Sequence, residues 1–318
     1  MMAILIGHRG ARALSPENTL QGIRTASRCR ADAVEVDVRL AGDQTLVLMH
    51  DETVDRSTSG TGKVQDLSPR DLKRLDAGGE GVPTLHEALE MARSLGLKMI
   101  VEMKEEGIEE LVATESKGED VMVTSFYHES LLEIKDLSDL QTGIIIGSLP
   151  VHPVDLALAA RADAIFPHRT NARLFKRAHA EGLRVYPWTI NTPSEAVWLI
   201  KLGADGLVTD DPCLLREVID RPVKDTTQEN CDYYPCHFPG QVCTHCFCPL
   251  YPCRDPDLGR YVKTKKGRRV WTCIDCNLVH IPEVARYLED NPQATTEELK
   301  ALTSWREHSD RVLERKGN

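Results

Sequence analysis

Four places in the 318-residue chain set ionisable residues inside or at the end of an apolar run. Ile4-Leu5-Ile6 passes through Gly7 into His8-Arg9-Gly10, and Ala33-Val34-Glu35-Val36-Asp37-Val38-Arg39 carries two carboxylates. Leu46-Val47-Leu48-Met49 ends in His50-Asp51, and Met99-Ile100-Val101-Glu102-Met103-Lys104 spaces a carboxylate and an ammonium two apart. Residues two apart on a strand face the same side, so Glu35 points with Asp37, and Glu102 with Lys104. Carboxylates aimed into a core are unfavourable unless paired or bound to a metal. Three of them with few other ligands suit a hard divalent cation, Mg²⁺ or Ca²⁺, with water completing the shell. Arg9 and Lys104 beside such an ion suit a phosphate, and two imidazoles can deliver and remove protons. The combination reads as metal-assisted phosphodiester chemistry.

These groups converge only if the runs that carry them lie side by side. Candidate strands are Ala3–Ile6, Ala33–Val38, Thr45–Met49, Lys98–Val101, Val121–Ser125, Thr142–Ile146, Ala164–Phe166, Arg184–Trp188 and Gly206–Val208. Amphipathic helical stretches alternate with them. Thr84-Leu85-His86-Glu87 and Thr192-Pro193-Ser194-Glu195 read as capping boxes, and helices are expected to end at Gly96, Gly182 and Gly203. Apolar strands separated by crossover helices predict parallel pairing, and about eight of them favour a closed (β/α)8 barrel of the TIM type over an open sheet. One candidate is therefore in excess, and Thr45–Met49, reached by the tight Gly42-Asp43 turn, is the one expected to be a hairpin partner. In such a barrel the strand exits carry the chemistry, which is where the ionisable residues sit.

Residues 1 to 219 resemble the glycerophosphodiester phosphodiesterases. The matching motifs are His8-Arg9-Gly10, Pro16-Glu17-Asn18-Thr19, Glu35-Val36-Asp37-Val38 and His50-Asp51-Glu52-Thr53-Val54-Asp55-Arg56-Ser57-Thr58 with Gly60 and Gly62. Pro83-Thr84-Leu85, Glu102-Met103-Lys104, Trp188-Thr189-Ile190-Asn191 and Gly206-Leu207-Val208-Thr209-Asp210-Asp211-Pro212 follow in order. The resemblance implies a distorted barrel that hydrolyses glycerophosphodiesters to glycerol 3-phosphate and an alcohol. By position it makes Glu35, Asp37 and Glu102 the metal ligands and His8 and His50 the acid–base pair. Arg9, Lys104, Glu17 and Trp188 form the substrate-binding set, although Glu17 also suits ordering Arg9 or a loop, Trp188 equally suits plain core, and Asn18 suits capping the first helix. The implied route is attack of the glycerol 2-hydroxyl on phosphorus, expulsion of the alcohol, and opening of the cyclic product by water. Two alternatives stand beside it: an inactive barrel serving as a binding or regulatory module, and action on another phosphodiester such as a lysophospholipid. The short, glutamate-rich segment between Lys104 and Val121 and the compact Glu52–Gly81 region predict an open rim.

The periodicity stops at residues 221–229, read as a linker between a barrel at 1–220 and a second domain at 230–318. Eight of the ten cysteines lie between Cys231 and Cys276, which argues for metal ligation. The pairs Cys243/Cys246 and Cys273/Cys276 have zinc-ribbon spacing, with Cys231, Cys236, Cys248, Cys253 and His280 as further candidate ligands. Zinc is expected before an iron–sulfur cluster. The stretch resembles a small cysteine-rich domain of some archaeal and bacterial proteins, and a metal staple suits so small a unit. A helical tail follows, with Thr295-Thr296-Glu297-Glu298 as a cap.

A composition of 41% hydrophobic and 28% charged residues supports a globular core, and a net charge of −10 disfavours nucleic acid or an anionic membrane as partner. No apolar run reaches the length of a membrane span. The substrate is thus expected to be a small molecule, met by a cytoplasmic protein.

Overall fold

The computed structural model describes residues 3–220, 248–264, 267–273 and 276–302. The chain forms two compact units, residues 1–222 and 223–318.

The first unit has strands β1 (Ile4–Gly7), β2 (Ala33–Leu40), β3 (Leu46–Leu48), β4 (Lys98–Met103), β5 (Val121–Ser125), β6 (Gln141–Ile146), β7 (Ala164–Pro167), β8 (Arg184–Val185) and β9 (Gly206–Thr209). Its helices are α1 (Leu20–Arg28), α2 (Pro69–Leu72), α3 (Leu85–Leu95), α4 (Glu109–Glu115), α5 (His128–Leu137), α6 (Pro153–Ala159), α7 (Ala172–Ala180), α8 (Pro193–Lys201) and α9 (Pro212–Asp220). Strand order is β8-β7-β6-β5-β4-β2-β1-β9, parallel throughout, while β3 pairs antiparallel with β2. The strand in excess is therefore the hairpin partner, as its tight turn predicts. Between β8 and β9 the circle is bridged by Asp205 N–H to the Val185 carbonyl (3.0 Å), Val208 N–H to Pro187 (3.0 Å) and Ile190 N–H to Val208 (2.8 Å). The result is a nearly closed eight-stranded barrel of the TIM type.

One expectation fails at that seam: Arg184–Trp188 reads as a five-residue strand, but only Arg184–Val185 is laddered. Tyr186 and Trp188 still donate to the Ile165 and Pro167 carbonyls of β7 (2.9 and 3.2 Å), while Pro187 has no N–H to give on the β9 side, where the pairing stays irregular. Elsewhere the local chemistry holds. Thr84 and Glu87 form the reciprocal capping box of α3, which ends at Gly96 with φ 67°. Thr192 caps α8 by accepting from the Glu195 N–H. The cap of α1 is Thr19, accepting from the Gly22 N–H, and not Asn18.

The strands alternate between two cores. Leu5, Val34, Val36, Val101, Val123 and Leu207 pack outward in the layer that holds the helices. Ile6, Ala33, Ile100, Met122, Ala164, Phe166 and Val208 fill the interior. Continuing the interior parity toward the strand exits replaces apolar side chains by His8, Glu35, Asp37, Glu102 and Lys104. One period-two register thus builds both the core and the site.

The crossover helix α4 is only seven residues long. Cys29, the C-cap of α1, is disulfide-bonded to Cys213 in the first turn of α9, 184 residues away. Sequence reading, drawn to the distal cluster, did not foresee this pair.

In the second unit, β10 (Arg260–Lys263) and β11 (Arg269–Thr272) form an antiparallel ladder, followed by α10 (Pro282–Asp290) and α11 (Thr296–Ala301). Leu258, Leu278, Ile281, Val284, Leu288 and Leu299 make its core, and Thr295 with Glu298 forms the capping box read from the sequence. Among the described residues no helix is long and apolar enough to cross a membrane.

Candidate active site

The exit of β1 is shaped by close backbone approach. Arg9 and Gly10 take left-handed φ values of 49° and 88°. A Cβ at Gly10 would stand 2.7 Å from the Gly22 carbonyl carbon of α1, and one at Gly7 would stand 2.0 Å from the Gly10 carbonyl oxygen. Neither position admits a side chain without moving backbone. The turn aims the Arg9 N–H at Glu35 Oε2 (2.8 Å) and leaves His8 and Arg9 buried at 8% and 9% exposure.

Glu35, Asp37 and Glu102 each bring one carboxylate oxygen within 4.8 Å of the others. Register explains this: Asp37 lies beside Glu102 across β2 and β4, with Glu35 two residues lower on the same face. Asp37 Oδ2 accepts from Asn18 Nδ2 (2.8 Å), and Asn18 Oδ1 accepts in return from the Asp37 N–H (3.0 Å). Asn18 therefore fixes a carboxylate instead of capping a helix. Arg9 Nε lies 3.1 Å from Asp37 Oδ2, at ion-pair distance but off hydrogen-bond alignment, and Lys104 Nζ reaches Glu102 Oε1 (2.5 Å) and Asp37 Oδ1 (3.5 Å).

The three acids sit in more negative charge than two cations neutralise. Burial, with the charges of Asp37 and Glu102, pushes Glu35 well above the usual carboxylate range. Burial and Asp37 push Glu102 up to about 7, against the pull of Lys104. The Lys104 ammonium is desolvated too, yet Asp37 and Glu102 hold it above its ordinary value. Glu35 Oε1 is buried with no hydrogen-bond partner. An orphaned oxygen within an uncompensated carboxylate triad fits a hard divalent cation.

Each histidine has a carboxylate on Nδ1. His8 Nδ1 meets Asp210 Oδ1 at 2.6 Å, and Nε2 lies 4.0 Å from Glu35. Asp210 is braced by Asn191, whose Nδ2 donates to Oδ2 (2.8 Å) and whose Oδ1 accepts from the Asp210 N–H (2.9 Å). His50 Nδ1 meets Asp51 Oδ1 at 2.6 Å. Desolvation pushes the His50 imidazole below its ordinary value, outweighing the upward pull of Asp37 and Asp51. Sequence reading gave Asp51, Asp210 and Asn191 no role. The first stands next to its histidine and was findable, whereas Asp210 and Asn191 reach theirs only when β9 pairs with β1.

Glu17 does not face the carboxylate triad: its oxygens bind Arg9 Nη1 (2.9 Å), Arg56 Nη1 (3.0 Å) and Arg56 Nη2 (2.6 Å), with Arg12 Nε at 3.2 Å. Trp188 packs on the interior core, donates from Nε1 to the Phe166 carbonyl (2.8 Å), and meets Phe126 and His168 edge-on at 5.9 and 5.0 Å. Phe126 continues this wall toward Lys104, whose Nζ is 5.8 Å from its ring.

Of the second unit's expected ligands, Cys231, Cys236, Cys243 and Cys246 lie outside the described residues. Cys248, Cys253, Cys273 and Cys276 are free thiols, and His280 is buried. Burial pushes Cys248 up to about 12 and Cys276 up to about 11, and each is raised further by the neighbouring thiols. Among the described residues the carboxylate triad is the one ligand group converging within 4.8 Å.

A barrel whose rim gathers a carboxylate triad, two imidazoles, a guanidinium and an ammonium has the equipment of a phosphodiester hydrolase. The profile of the glycerophosphoryl diester phosphodiesterase family matches residues 8–214, and the chain belongs to that family. A glycerophosphodiester phosphodiesterase of Caldanaerobacter subterraneus subsp. tengcongensis is 35% identical over 232 residues, covering 67% of this chain and 96% of that protein. The solved structure of an Oleispira antarctica phosphodiesterase in complex with the product sn-glycerol-3-phosphate superposes with a TM-score of 0.65 at 28% identity. It covers 69% of this chain and 98% of its own. A profile described as a cysteine-rich small domain matches residues 223–303. An uncharacterized protein of Methanocaldococcus jannaschii is 57% identical over 56 residues, 18% of this chain and 47% of that protein.

Proposed function

We propose that the barrel hydrolyses glycerophosphodiesters to glycerol 3-phosphate and an alcohol with the help of Mg²⁺ or Ca²⁺. The observation that carries this reading is the convergence of Glu35, Asp37 and Glu102 between Arg9 and Lys104, with Glu35 Oε1 left unpaired. Those three residues would hold the cation, which when bound supplies neutralisation of developing charge and a lowered pKa for a coordinated hydroxyl. Arg9 and Lys104 bind the phosphate, and Trp188 walls the glycerol side.

His8 and His50 exchange protons through Nε2, because Nδ1 of each is committed to a carboxylate. In the first step one imidazole takes the proton of the glycerol 2-hydroxyl as its oxygen bonds to phosphorus. The other gives a proton to the alcohol oxygen as its bond to phosphorus breaks. In the second step the roles reverse: water loses a proton, attacks the cyclic phosphate, and the 2-oxygen is reprotonated. Glu17 serves by holding Arg9, outside the set that touches substrate.

The test is turnover of glycerophosphocholine and glycerophosphoglycerol by the full-length protein, stripped with chelator and then resupplied with Mg²⁺. Turnover restored by Mg²⁺ supports the reading, and no turnover of either compound in either state overturns it. His50→Ala should lower turnover by about 10²–10⁴-fold with the circular dichroism unchanged; near-normal activity would show the acid–base pair to be misassigned.

For the second unit we propose a structural zinc, or less favourably an iron–sulfur cluster, held by ligands from Cys231, Cys236, Cys243, Cys246, Cys248, Cys253, Cys273, Cys276 and His280. In support, the four described cysteines form no disulfide, and burial with neighbouring thiols pushes Cys248, Cys273 and Cys276 up, a situation a cation relieves. Metal content of the full-length protein checks it, and a folded chain free of zinc and iron overturns it. The free thiols also favour a cytoplasmic location, while the Cys29–Cys213 disulfide is the observation that pulls the other way.

A further inference from the structure

The mechanism leaves Arg56 unused, although it lies in the same His50-to-Thr58 motif as one of the imidazoles. Each of its three guanidinium nitrogens is engaged: Nε donates to Asp51 Oδ2 (2.5 Å), Nη1 to Glu17 Oε2 (3.0 Å) and Nη2 to Glu17 Oε1 (2.6 Å). Each of these carboxylates also holds a site residue, since Asp51 Oδ1 meets His50 Nδ1 (2.6 Å) and Glu17 Oε1 accepts from Arg9 Nη1 (2.9 Å). An unbroken string of charge-assisted contacts therefore runs His50, Asp51, Arg56, Glu17, Arg9.

We propose that Arg56 is a positioning residue that locks the proton-transferring imidazole of His50 and the phosphate-binding guanidinium of Arg9 into one fixed relation. This rests on the phosphodiesterase reading above.

An exposed ion pair ordinarily contributes about 0–1 kcal/mol and orders little, and the Arg56 side chain is 47% exposed. Three features separate it from that case. The Glu17 end is 11% exposed and shared with Arg9, so loosening Arg56 loosens a buried contact. Arg56 also bridges two like charges: without it Glu17 and Asp51 lose the cation they share, leaving Glu17 with Arg9 and Arg12 and Asp51 with His50. Finally, the backbone that carries it is anchored. Val54 is fully buried, Val54 N–H donates to the Gly62 carbonyl (3.0 Å), Thr58 N–H donates to Val54 (3.0 Å), and Thr53 bridges Lys63. The arm is pinned at its base and fork-bonded at its tip.

Planarity is essential to the role. A guanidinium presents donors in a rigid fork that meets two carboxylates at once, whereas an ammonium is a point charge on a flexible stem. Lysine at 56 keeps the charge and loses the geometry. Misplacing reacting groups by about 1 Å can slow an enzyme by about 10²-fold.

The test uses the full-length, Mg²⁺-supplied protein and glycerophosphocholine. In both Arg56→Gln and Arg56→Lys, kcat is expected to fall through His50 and KM to rise through Arg9, lowering kcat/KM by about 10–100-fold, with the thermal transition within a few degrees of wild type. In a double-mutant cycle, adding Glu17→Gln to Arg56→Gln should worsen KM far less than Glu17→Gln does alone, because the two act as one unit. Arg56→Lys with wild-type kcat and KM overturns the proposal, as does full additivity in the cycle. If Arg56→Gln fails to fold, the Lys variant carries the same decision. Inactive wild-type protein would instead refute the phosphodiesterase reading.

Discussion

Glu17 shows how a side chain can matter without meeting substrate. Burial alone would raise its pKa, yet hydrogen bonds from Arg56 and Arg9 bring it down to about 2 from an ordinary 4.5. A carboxyl depressed in the folded state contributes stability that is complete above the unfolded value and lost as pH falls through the folded one. The contribution should therefore fade between pH 4.5 and about 2, amounting to at most about 3 kcal/mol and less in salt. Thermal unfolding against pH checks this: Glu17→Gln should be less stable than wild type at neutral pH and show a shallower acid limb. At this scale the sequence was legible in part. That Glu35, Asp37 and Glu102 gather with His8, Arg9 and Lys104 at the strand exits was read from spacing and motif order. Asn18 and Asp210 were not, because their partners, Asp37 and His8, lie across strand pairings that no local pattern displays.

At the scale of elements, the site depends on how close α1 comes to β1. Gly10 and Gly22 touch backbone to backbone, and the φ of 88° at Gly10 is itself unfavourable for a side chain. Gly10→Ala should cost roughly 2–5 kcal/mol, from the clash and the left-handed backbone together. It should also depress turnover, since displacing α1 moves Asn18 and Arg9. Urea unfolding and the glycerophosphocholine assay test the two halves separately; a fully stable, fully active variant would refute the account. The strands were legible because a barrel core forces unbroken apolar runs, and the odd strand was legible from its turn. At β8 the hydrogen bonds to β7 run on through Tyr186 and Trp188, as the alternation suggests, but Pro187 withholds a donor from β9 and the regular ladder ends at Val185.

The whole molecule joins a barrel to a thiol-rich unit, and the barrel has a covalent feature of its own. The cysteine spacing displays the second unit plainly, whereas a disulfide spanning 184 residues leaves no local trace. Closing so long a loop restricts the unfolded chain by about 5 kcal/mol in the entropic account. Reductant, or Cys213→Ser, should accordingly lower the barrel's thermal transition by several degrees; an unchanged transition would mean that the crosslink adds nothing to stability. Because α1 and α9 flank the pair β1 and β9, the bond turns nearly all of the barrel into a covalent ring. A protease that cuts once anywhere between Cys29 and Cys213 opens this ring without dividing the molecule, so both pieces travel together on a gel until a reducing agent parts them.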